Sequence, residues 1–168
     1  FEVMVADIDE KAVRFDDPKK LTLALANAKA DSILPKIQGD AILITADQVV
    51  VCAGELREKP HDEREARQFL LSYNKYPVEA VTAVVALNTA NQKRKEGVDI
   101  AKVYFHPLTE EKIDELVASG IVFTCAGGFC VNDPLFRDYI KTVEGDIDSV
   151  AGLPKALTEK LIKEVQKP

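Results

Sequence analysis

The sequence has no tryptophan, one methionine and two histidines among its 168 residues, and it lacks a long apolar run. No apolar stretch approaches the ~20 residues that a membrane-spanning helix needs, so the sequence predicts no membrane span. Glycine and proline, at eight residues each, are too few for a collagen-like or low-complexity chain. An apolar content of 46% argues against intrinsic disorder and predicts one soluble globular domain over residues 1–168.

Basic residues are outnumbered, with 22 lysines and arginines against 28 aspartates and glutamates and a net charge of -6. This balance argues against non-specific binding to nucleic acid. We therefore expect neither nucleic acid nor a membrane as a partner. An acidic chain still binds polyanions locally where a few lysines or a metal ion offset the charge. The sequence shows no secretory-signal pattern, so we expect a cytoplasmic protein.

The three cysteines, Cys52, Cys125 and Cys130, lie in or beside apolar stretches and form no C-x-x-C pair. An odd number without metal-ligand spacing is not typical of a disulfide framework or a zinc site. We expect all three to be buried, reduced thiols.

Apolar runs rich in β-branched residues alternate with helix-type periodicities along the chain. This alternation predicts an α/β fold with a mixed sheet flanked by helices. The run AILITADQVVVC, residues 41–52, is typical of a strand covered on both faces. Strands are predicted at 2–5, 41–52, 78–87 and 98–105, and helices after Asp17-Pro18, Asp62, Thr109 and Gly152-Leu153-Pro154.

Asp47 is the one charged residue inside the apolar run at 41–52. A carboxylate in a strand core is costly unless it is hydrogen-bonded, paired or bound to a metal. One interpretation is a satisfied aspartate at a bulge or strand end. The other is a metal ligand or a general base.

Acidic and basic side chains elsewhere suit a site for a metal and phosphates. Asp9 and Glu10 lie in an acidic loop of the kind that binds Mg²⁺, although solvated surface charge is the simpler interpretation. Lys29 borders the apolar face of the first helix, where its stem either packs on the core or its ammonium meets a phosphate. Lys59 is held by Pro60 in a loop before the second helix, beside Arg57 and Glu58, which are candidates for surface charges.

The remaining motifs are weak. The Ala126-Gly127-Gly128 turn permits close backbone approach but does not match a G-x-G-x-x-G or P-loop pattern. No serine lies in a nucleophile elbow. The residues themselves therefore predict an α/β domain whose carboxylates and lysines suit a metal and phosphates.

Six short segments, in order along the chain, together resemble the Maf family: ADIDE (6–10), ALANAKA (24–30), TADQVVV (45–51), REKP (57–60), AGGF (126–129) and VAGLP (150–154). Members of that family are nucleotide pyrophosphatases that cleave nucleoside triphosphates to the monophosphate and pyrophosphate. The resemblance implies a fold like that of inosine-triphosphate pyrophosphatases, with two lobes around a cleft. It also implies a divalent cation, Mg²⁺ or Mn²⁺, and a homodimer.

Family roles carry over to individual positions. Asp47 matches the acidic residue regarded as the proton acceptor, and Glu10, preceded by Asp9, matches the acidic pair. Lys29 and Lys59 match the two lysines of the family. The resemblance implies that Glu10, Asp47 and Asp9 organise the metal and an attacking water, while the lysines offset triphosphate charge.

Two further positions correlate with the preferred base. In the family, glutamine after the active-site aspartate accompanies cleavage of 7-methyl-GTP, whereas threonine accompanies cleavage of dTTP and UTP. Gln48 therefore resembles the 7-methyl-GTP type. The later specificity position is Asn132, which matches neither subgroup, although the adjacent Asp133 is acidic. We expect a methylated or otherwise modified purine nucleotide as substrate.

Family members begin with a strand and an S-x-S-x-x-R turn that contacts phosphate. The present chain begins after that position, so we expect the domain to lack this strand and turn. Their absence leaves an alternative open, a non-catalytic nucleotide-binding or regulatory module linked to cell division.

Overall fold

The computed structural model describes residues 1–167 and shows an α/β fold with one five-stranded sheet. The strands are β1 (Ile42–Cys52), β2 (Glu55–Arg57), β3 (Val78–Asn88), β4 (Arg94–Phe105) and β5 (Ile140–Glu144). Their spatial order in the sheet is β2-β1-β3-β4-β5. The helices are α1 (Pro18–Ile33), α2 (Glu63–Ser72), α3 (Glu110–Ser119), α4 (Pro134–Arg137), α5 (Ile147–Val150) and α6 (Lys155–Gln166). Among the described residues, no helix has the length and apolarity to cross a membrane.

The long helices begin where their capping residues predict. The side chain of Asp17 accepts a hydrogen bond from the Lys19 backbone N–H, and Asp62 caps α2 in the same way. Thr109 caps α3, which ends at Gly120 in the left-handed conformation. These predictions are confirmed. Helix α1 ends at Ile33, and a 3-10 turn containing a proline follows it.

The sheet is antiparallel, whereas the sequence predicts a mixed sheet. Strands β1 and β2 pair with Val50 opposite Arg57 across a tight turn, and β4 pairs antiparallel with β5. The Thr89 backbone N–H donates to the Ala41 carbonyl over 2.9 Å, which joins the end of β3 to the start of β1. The β1–β2 and β3–β4 connections are of hairpin length, which favours antiparallel neighbours, since parallel strands need a longer crossover. The β4–β5 pair is antiparallel although residues 106–139 separate its strands. The α/β class and the flanking helices are confirmed.

By residue contacts the chain comprises two compact units. Unit 1 contains residues 1–48, 82–99 and those from 152 onward, and unit 2 contains residues 49–81 and 100–151. Strands β1, β3 and β4 each contribute residues to both units.

Unit 1 buries both faces of its strands, as the apolar run at 41–52 predicts. One face packs against α1 through a cluster that includes Ala26, Ala30, Ala83 and Val85. The other face packs against α6, and its members are Ile42, Ile44, Ala46, Val84, Ala86, Leu157, Leu161 and Val165. Because side chains alternate along a strand, odd-numbered β1 residues face α1 and even-numbered ones face α6.

Unit 2 is built around an aromatic cluster. The rings of Tyr73 and Phe105 stack with centroids 5.4 Å apart, and Phe129 meets Phe105 edge-on, also at 5.4 Å. Phe136, which is fully buried, extends the cluster at 6.5 Å from Phe129. Aromatic pairs in these geometries stabilise a core beyond the area they bury.

The prediction of a strand at residues 2–5 is wrong. No strand is assigned there, and the apolar side chains of Phe1, Val3 and Val5 are exposed. An extended segment becomes a strand only when a neighbouring strand pairs with it, and no described strand does so here. Strand β4 begins at Arg94 and not at the predicted residue 98, because the polar residues before 98 belong to the strand.

The prediction of three reduced cysteines is also corrected. Cys125 and Cys130 are joined by a disulfide, with their Cα atoms 5.8 Å apart, while Cys52 is a free, buried thiol as predicted. A spacing of five residues matches no standard motif, but the intervening glycines adopt positive φ and turn the chain back on itself.

Candidate active site

Three charged side chains of unit 1 meet at one point. The Lys29 ammonium lies 2.6 Å from Asp47 Oδ1 and 2.9 Å from Glu10 Oε1. The Asp47 side chain is 8% exposed, Lys29 is 22% exposed and Glu10 is 56% exposed. We refer to these residues as the carboxylate–lysine cluster. Asp47 therefore lies in the interior of β1 as a paired carboxylate, not at a strand end.

Helix α1 and strand β1 fix the Lys29–Asp47 contact through their packing. Thr45, two residues before Asp47 and on the same strand face, is buried and donates its hydroxyl to the Ala26 carbonyl over 2.7 Å. Ala26 precedes Lys29 by nearly one helical turn on α1. This buried bond sets the register between helix and strand, so the ammonium reaches the carboxylate.

The acidic loop that carries Glu10 is tied to the C-terminal part of α1. The Asp7 backbone N–H donates to Ser32 Oγ over 3.0 Å, and that hydroxyl donates to the Asp7 carbonyl over 3.2 Å. Asp9 accepts from the Lys11 backbone N–H at 3.1 Å and caps the 3-10 turn that begins at Glu10. The structure thus joins Glu10 to the cluster, whereas Asp9 serves the local turn.

Burial and pairing shift the ionisation of the two central groups. Burial raises the pKa of the Asp47 carboxyl; Lys29 opposes this shift, and the negative charge of Glu10 adds to it. For Lys29, burial lowers the pKa, but hydrogen bonds and charge interactions with Asp47 and Glu10 outweigh burial and leave its pKa above the ordinary value. The cluster therefore combines a persistent positive charge with a carboxylate of raised basicity.

The donor set of the cluster suits Mg²⁺ or Mn²⁺. Within residues 1–167, no group of three or more histidine, cysteine, aspartate or glutamate side chains is arranged to hold a metal. Mg²⁺ is commonly held by one or two carboxylates together with the phosphates of a substrate, and not by an all-protein cage. Glu10 and Asp47, which already share one cation in Lys29, supply two such carboxylates.

Gln48 faces the opposite side of the sheet from Asp47. Its Nε2 donates to Thr82 Oγ1 over 2.8 Å, and Thr82 is fully buried. Both residues lie on the face that packs against α6, since residues 42, 44 and 46 of β1 share that face. Sequence analysis missed Thr82; the available signal is a hydroxyl residue within the apolar run at 78–87.

In unit 2 two of the family-like segments come together. The Gly127 backbone N–H donates to the Glu58 carbonyl over 3.0 Å, and Gly128 lies close to the Pro60 ring. Lys59, between Glu58 and Pro60, is exposed. The loop that carries Lys59 is therefore held against the Ala126–Gly128 turn, a contact that neither segment predicts alone.

This turn needs glycine for two reasons. Gly127 has a φ of +68°, and a Cβ placed on it would lie 2.7 Å from Val50 Cγ1. Its carbonyl accepts a hydrogen bond from the Tyr73 hydroxyl. Burial raises the pKa of Tyr73, so the hydroxyl stays protonated and remains a donor. We call Glu58, Tyr73, Gly127 and Gly128 the glycine-turn cluster.

Arg57 is buried, which decides against the interpretation that it is a surface charge. Its side chain is 6% exposed, and its guanidinium carbon lies 4.6 Å from the centroid of the Phe69 ring. One guanidinium nitrogen donates to Ser72 Oγ over 2.7 Å. Arg57 thus anchors the segment that leads to Lys59.

Asn132, the second specificity position, is exposed and also lies in unit 2. Asp133, its acidic neighbour, caps α4 by accepting from the Leu135 backbone N–H at 2.8 Å. The structure thus brings Glu10, Lys29 and Asp47 together in unit 1. Gln48 also lies in unit 1 but on the opposite face of the sheet, and Lys59 and Asn132 lie in unit 2.

Comparison with known proteins gives one consistent result. The family model of Maf-like proteins matches residues 1–165. A 7-methyl-GTP pyrophosphatase of Dictyostelium discoideum is 42% identical over 98% of this chain and 86% of its own length. A dTTP/UTP pyrophosphatase of Carboxydothermus hydrogenoformans is 31% identical, over 98% of this chain and 87% of its own length.

A third relative, a 7-methyl-GTP pyrophosphatase of Idiomarina loihiensis, is 35% identical over 92% of this chain and 78% of its own length. The family match spans nearly the whole sequence, and all six segments that first indicated it lie within the matched residues. This chain therefore belongs to the Maf-like protein family.

Proposed function

We propose that this chain is a nucleoside triphosphate pyrophosphatase of the 7-methyl-GTP type. The observation that carries the proposal is the Lys29 ammonium bridging the Asp47 and Glu10 carboxylates. That arrangement joins a buried carboxylate of raised pKa to a fixed positive charge, which suits water activation beside a polyphosphate. Relatives named as nucleotide pyrophosphatases support the same reaction class.

The reaction is hydrolysis of the bond between the α- and β-phosphates. A water oxygen bonds to the α-phosphorus while the bond from that phosphorus to the bridging oxygen breaks. The products are the nucleoside monophosphate and pyrophosphate. Asp47 takes the proton from the attacking water, a role for which a carboxyl with a raised pKa is better suited than an ordinary one.

Lysine side chains balance the charge of the triphosphate. Lys29 orients the Asp47 carboxylate and retains its own charge across the working pH range. Lys59, exposed on its proline-stiffened loop, supplies a second positive charge for the phosphates. Fixed positive groups of this kind stabilise charge that develops in the transition state.

We further propose that Glu10 and Asp47, with Asp9 as the nearest additional carboxylate in sequence, hold Mg²⁺ or Mn²⁺. When bound, such an ion polarises phosphate oxygens as a Lewis acid. We also propose that residues 1–168 act as one functional domain, that the protein is a cytoplasmic homodimer, and that it does not act on nucleic acid. The acidic net charge of -6 supports the last of these.

We propose that Gln48 and Asn132 determine which base the protein prefers. Gln48 is the residue that the 7-methyl-GTP type carries after its aspartate, and two relatives with that name are 42% and 35% identical to this chain. The dTTP/UTP pyrophosphatase compared above is 31% identical. We therefore propose a methylated or modified purine nucleotide as substrate.

The first test is pyrophosphate release from 7-methyl-GTP, GTP, dTTP, UTP and CTP, with Mg²⁺, with Mn²⁺ and with chelator. We expect 7-methyl-GTP to be cleaved fastest and chelator to abolish turnover. Preference for dTTP or UTP would support the proposed pyrophosphatase activity but would contradict Gln48 as a marker of base specificity. Thermal stabilisation by a nucleotide without any product would support the alternative, a non-catalytic binding module.

The second test addresses Asp47 itself. Loss of a general base typically costs about 10²–10⁴-fold in rate, so we expect Asp47→Asn to lower kcat by at least about 100-fold. The matched control is Asp40→Asn, an exposed aspartate just before β1, which should retain full activity. Full turnover by a folded Asp47→Asn protein would contradict the assigned role.

A further inference from the structure

The disulfide of unit 2 encloses the turn that holds the Lys59 loop. Cys125 and Cys130 bracket the residues Ala126 to Phe129, and both sulfurs belong to half-buried side chains. The exposed Thr124 hydroxyl lies 3.6 Å from Cys125 Sγ and 3.5 Å from Cys130 Sγ. The bond therefore lies close to the surface, where a small thiol can reach it. Cys52, by contrast, is 1% exposed.

Two residues inside the turn, Gly127 and Phe129, are anchored by contacts other than the disulfide. Gly127 is held by its N–H to Glu58 and by its carbonyl to the Tyr73 hydroxyl. The Phe129 ring is buried between Tyr73, Phe105 and Phe136. These anchors keep the middle of the turn in place whether or not the sulfurs are bonded. What the disulfide adds is closure of the two ends.

We propose that Cys125 and Cys130 form a thiol–disulfide exchange site whose redox state controls the turn and the segment after it. The co-reactant is a low-molecular-weight thiol such as glutathione. Two thiols reduce the protein disulfide to two protein thiols and leave as one small disulfide, and the reverse reaction restores the bond. The part of this proposal that concerns catalysis rests on the proposed function.

The consequence for the site follows from chain connectivity. Asn132 lies two residues after Cys130, and the turn contacts the loop that carries Lys59. Opening the disulfide releases both ends of the turn while the Gly127 and Phe129 anchors persist, so the protein stays folded and the change is local. In the cytoplasm, the proposed location, disulfides are mostly transient or redox-sensing, which fits such a role.

The first experiment has a readout that does not need activity. The full chain is equilibrated with reduced or oxidised glutathione, and its cysteines are alkylated and counted by mass spectrometry. We expect three alkylated thiols after denaturation in the reduced sample and one, Cys52, in the oxidised sample. Hydrogen exchange should then be about tenfold faster at residues 125–132 in the reduced protein, with the aromatic core unchanged.

The second experiment measures kinetics on whichever nucleotide is hydrolysed. Because an ordered loop binds with a smaller entropic cost, we expect KM to rise about fivefold on reduction, with kcat changing less than twofold. The double variant Cys125→Ser/Cys130→Ser should behave like the reduced protein in either buffer. The matched control, Cys52→Ala, should keep the full redox response.

The outcomes separate this proposal from the proposed function. Three alkylated thiols in both buffers, or equal hydrogen exchange in both redox states, would overturn the exchange site whatever the activity. A redox-dependent turn with identical KM would overturn its control of the site. If neither redox state cleaves any nucleotide, the proposed function fails, while alkylation and hydrogen exchange still decide the exchange site.

Discussion

The carboxylate–lysine cluster of unit 1 and the glycine-turn cluster of unit 2 are assembled by different forces. The first consists of three charged side chains, one of them 8% exposed, held by ion pairs of 2.6 and 2.9 Å. The second is held by backbone hydrogen bonds around a glycine with positive φ and by aromatic packing. The first cluster is therefore sensitive to charge and pH, and the second to volume and backbone conformation.

This difference indicates that the first cluster has a chemical role and the second a positioning role. Buried charges are costly unless they are paired, so a protein retains them where chemistry uses them. The packing and backbone hydrogen bonds of the glycine-turn cluster fix the position of the segments beside it. Substitutions that change charge at constant shape, and others that change shape at constant charge, will separate these contributions.

The largest effect is expected from Lys29→Met, which keeps the apolar stem of the side chain and removes its charge. Asp47 and Glu10 then face each other without a cation, so we expect kcat/KM to fall by about 100-fold or more. Stability should fall by about 1–3 kcal/mol, because the buried Asp47 carboxylate loses its partner. Steady-state kinetics and urea unfolding measure the two effects.

The control for that variant is Lys20→Met, an exposed lysine on the same helix. It should change neither kcat/KM nor the midpoint of unfolding. If Lys29→Met matched this control in activity, the carboxylate–lysine cluster would not be the catalytic centre.

Gly127→Ala is expected to act on stability. The new methyl group would lie 2.7 Å from Val50 Cγ1 and 2.9 Å from the Tyr73 hydroxyl oxygen, at a φ that disfavours alanine. Strain and overpacking together should cost about 2–4 kcal/mol, measured by urea unfolding.

Gly120→Ala separates strain from overpacking. Gly120 also has positive φ, but nothing lies within 4 Å of its added Cβ, so only the backbone strain applies, at about 1 kcal/mol. Equal losses of stability for the two variants would mean that the Val50 contact contributes nothing.

The next prediction concerns the pH dependence of stability that the carboxylate–lysine cluster produces. In metal-free protein, Asp47 should titrate above its ordinary pKa of 3.8, because burial and Glu10 disfavour the ionised form more than Lys29 favours it. The stability that Asp47 contributes is therefore complete below pH 3.8 and is lost as the pH rises through the raised pKa. For Lys29 the contribution is complete below pH 10.5 and is lost only as the pH rises above that value.

Carboxyl-carbon NMR titration of metal-free protein measures this shift directly. The negative charge of Glu10 raises the pKa of Asp47. Glu10→Gln removes that charge, so the titration of Asp47 should move to lower pH. Glu2→Gln, an exposed glutamate in the same N-terminal stretch, should leave it unchanged. A titration of Asp47 at or below 3.8 in wild-type protein would contradict the expected balance of burial and pairing.

The smallest effect is expected from Thr82→Val, which removes a buried hydroxyl at nearly constant volume. Gln48 then loses its 2.8 Å hydrogen bond, so we expect a loss of about 1 kcal/mol in stability and a few-fold lower preference for 7-methyl-GTP over dTTP. Competition assays measure that preference. Thr82→Ser keeps the hydroxyl and should retain the wild-type ratio; a loss with serine as well would assign the effect to packing.

The sequence predicted much of the local structure because its signals are local. Asp17, Asp62 and Thr109 begin helices where expected, since a capping side chain acts on backbone groups two or three residues away. Asp47 was identified as exceptional because a single carboxylate interrupts an apolar run. The family-like segments also indicate Glu10 and Lys29 as site residues.

Other features depend on residues far apart in the chain, and sequence patterns did not reveal them. The segment at 2–5 has the composition of a strand but lacks a partner strand. The sequence predicts Arg57 as a surface charge, but in the folded protein its guanidinium packs against the ring of Phe69 on α2. The spacing of Cys125 and Cys130 matches no recognised motif, and only the glycine turn brings their side chains together.

The sequence by itself determined the α/β class, the helix starts, the family and the residue types of the site, because each depends on neighbouring residues or on ordered segments. Only the tertiary structure decided that Lys29 bridges Glu10 and Asp47, that Gln48 faces away from Asp47 towards Thr82, and that the Ala126–Gly128 turn supports the Lys59 loop. The physical reason is that these contacts join residues 18 to 69 positions apart, and their energies exist only once helix and sheet packing has fixed the distances.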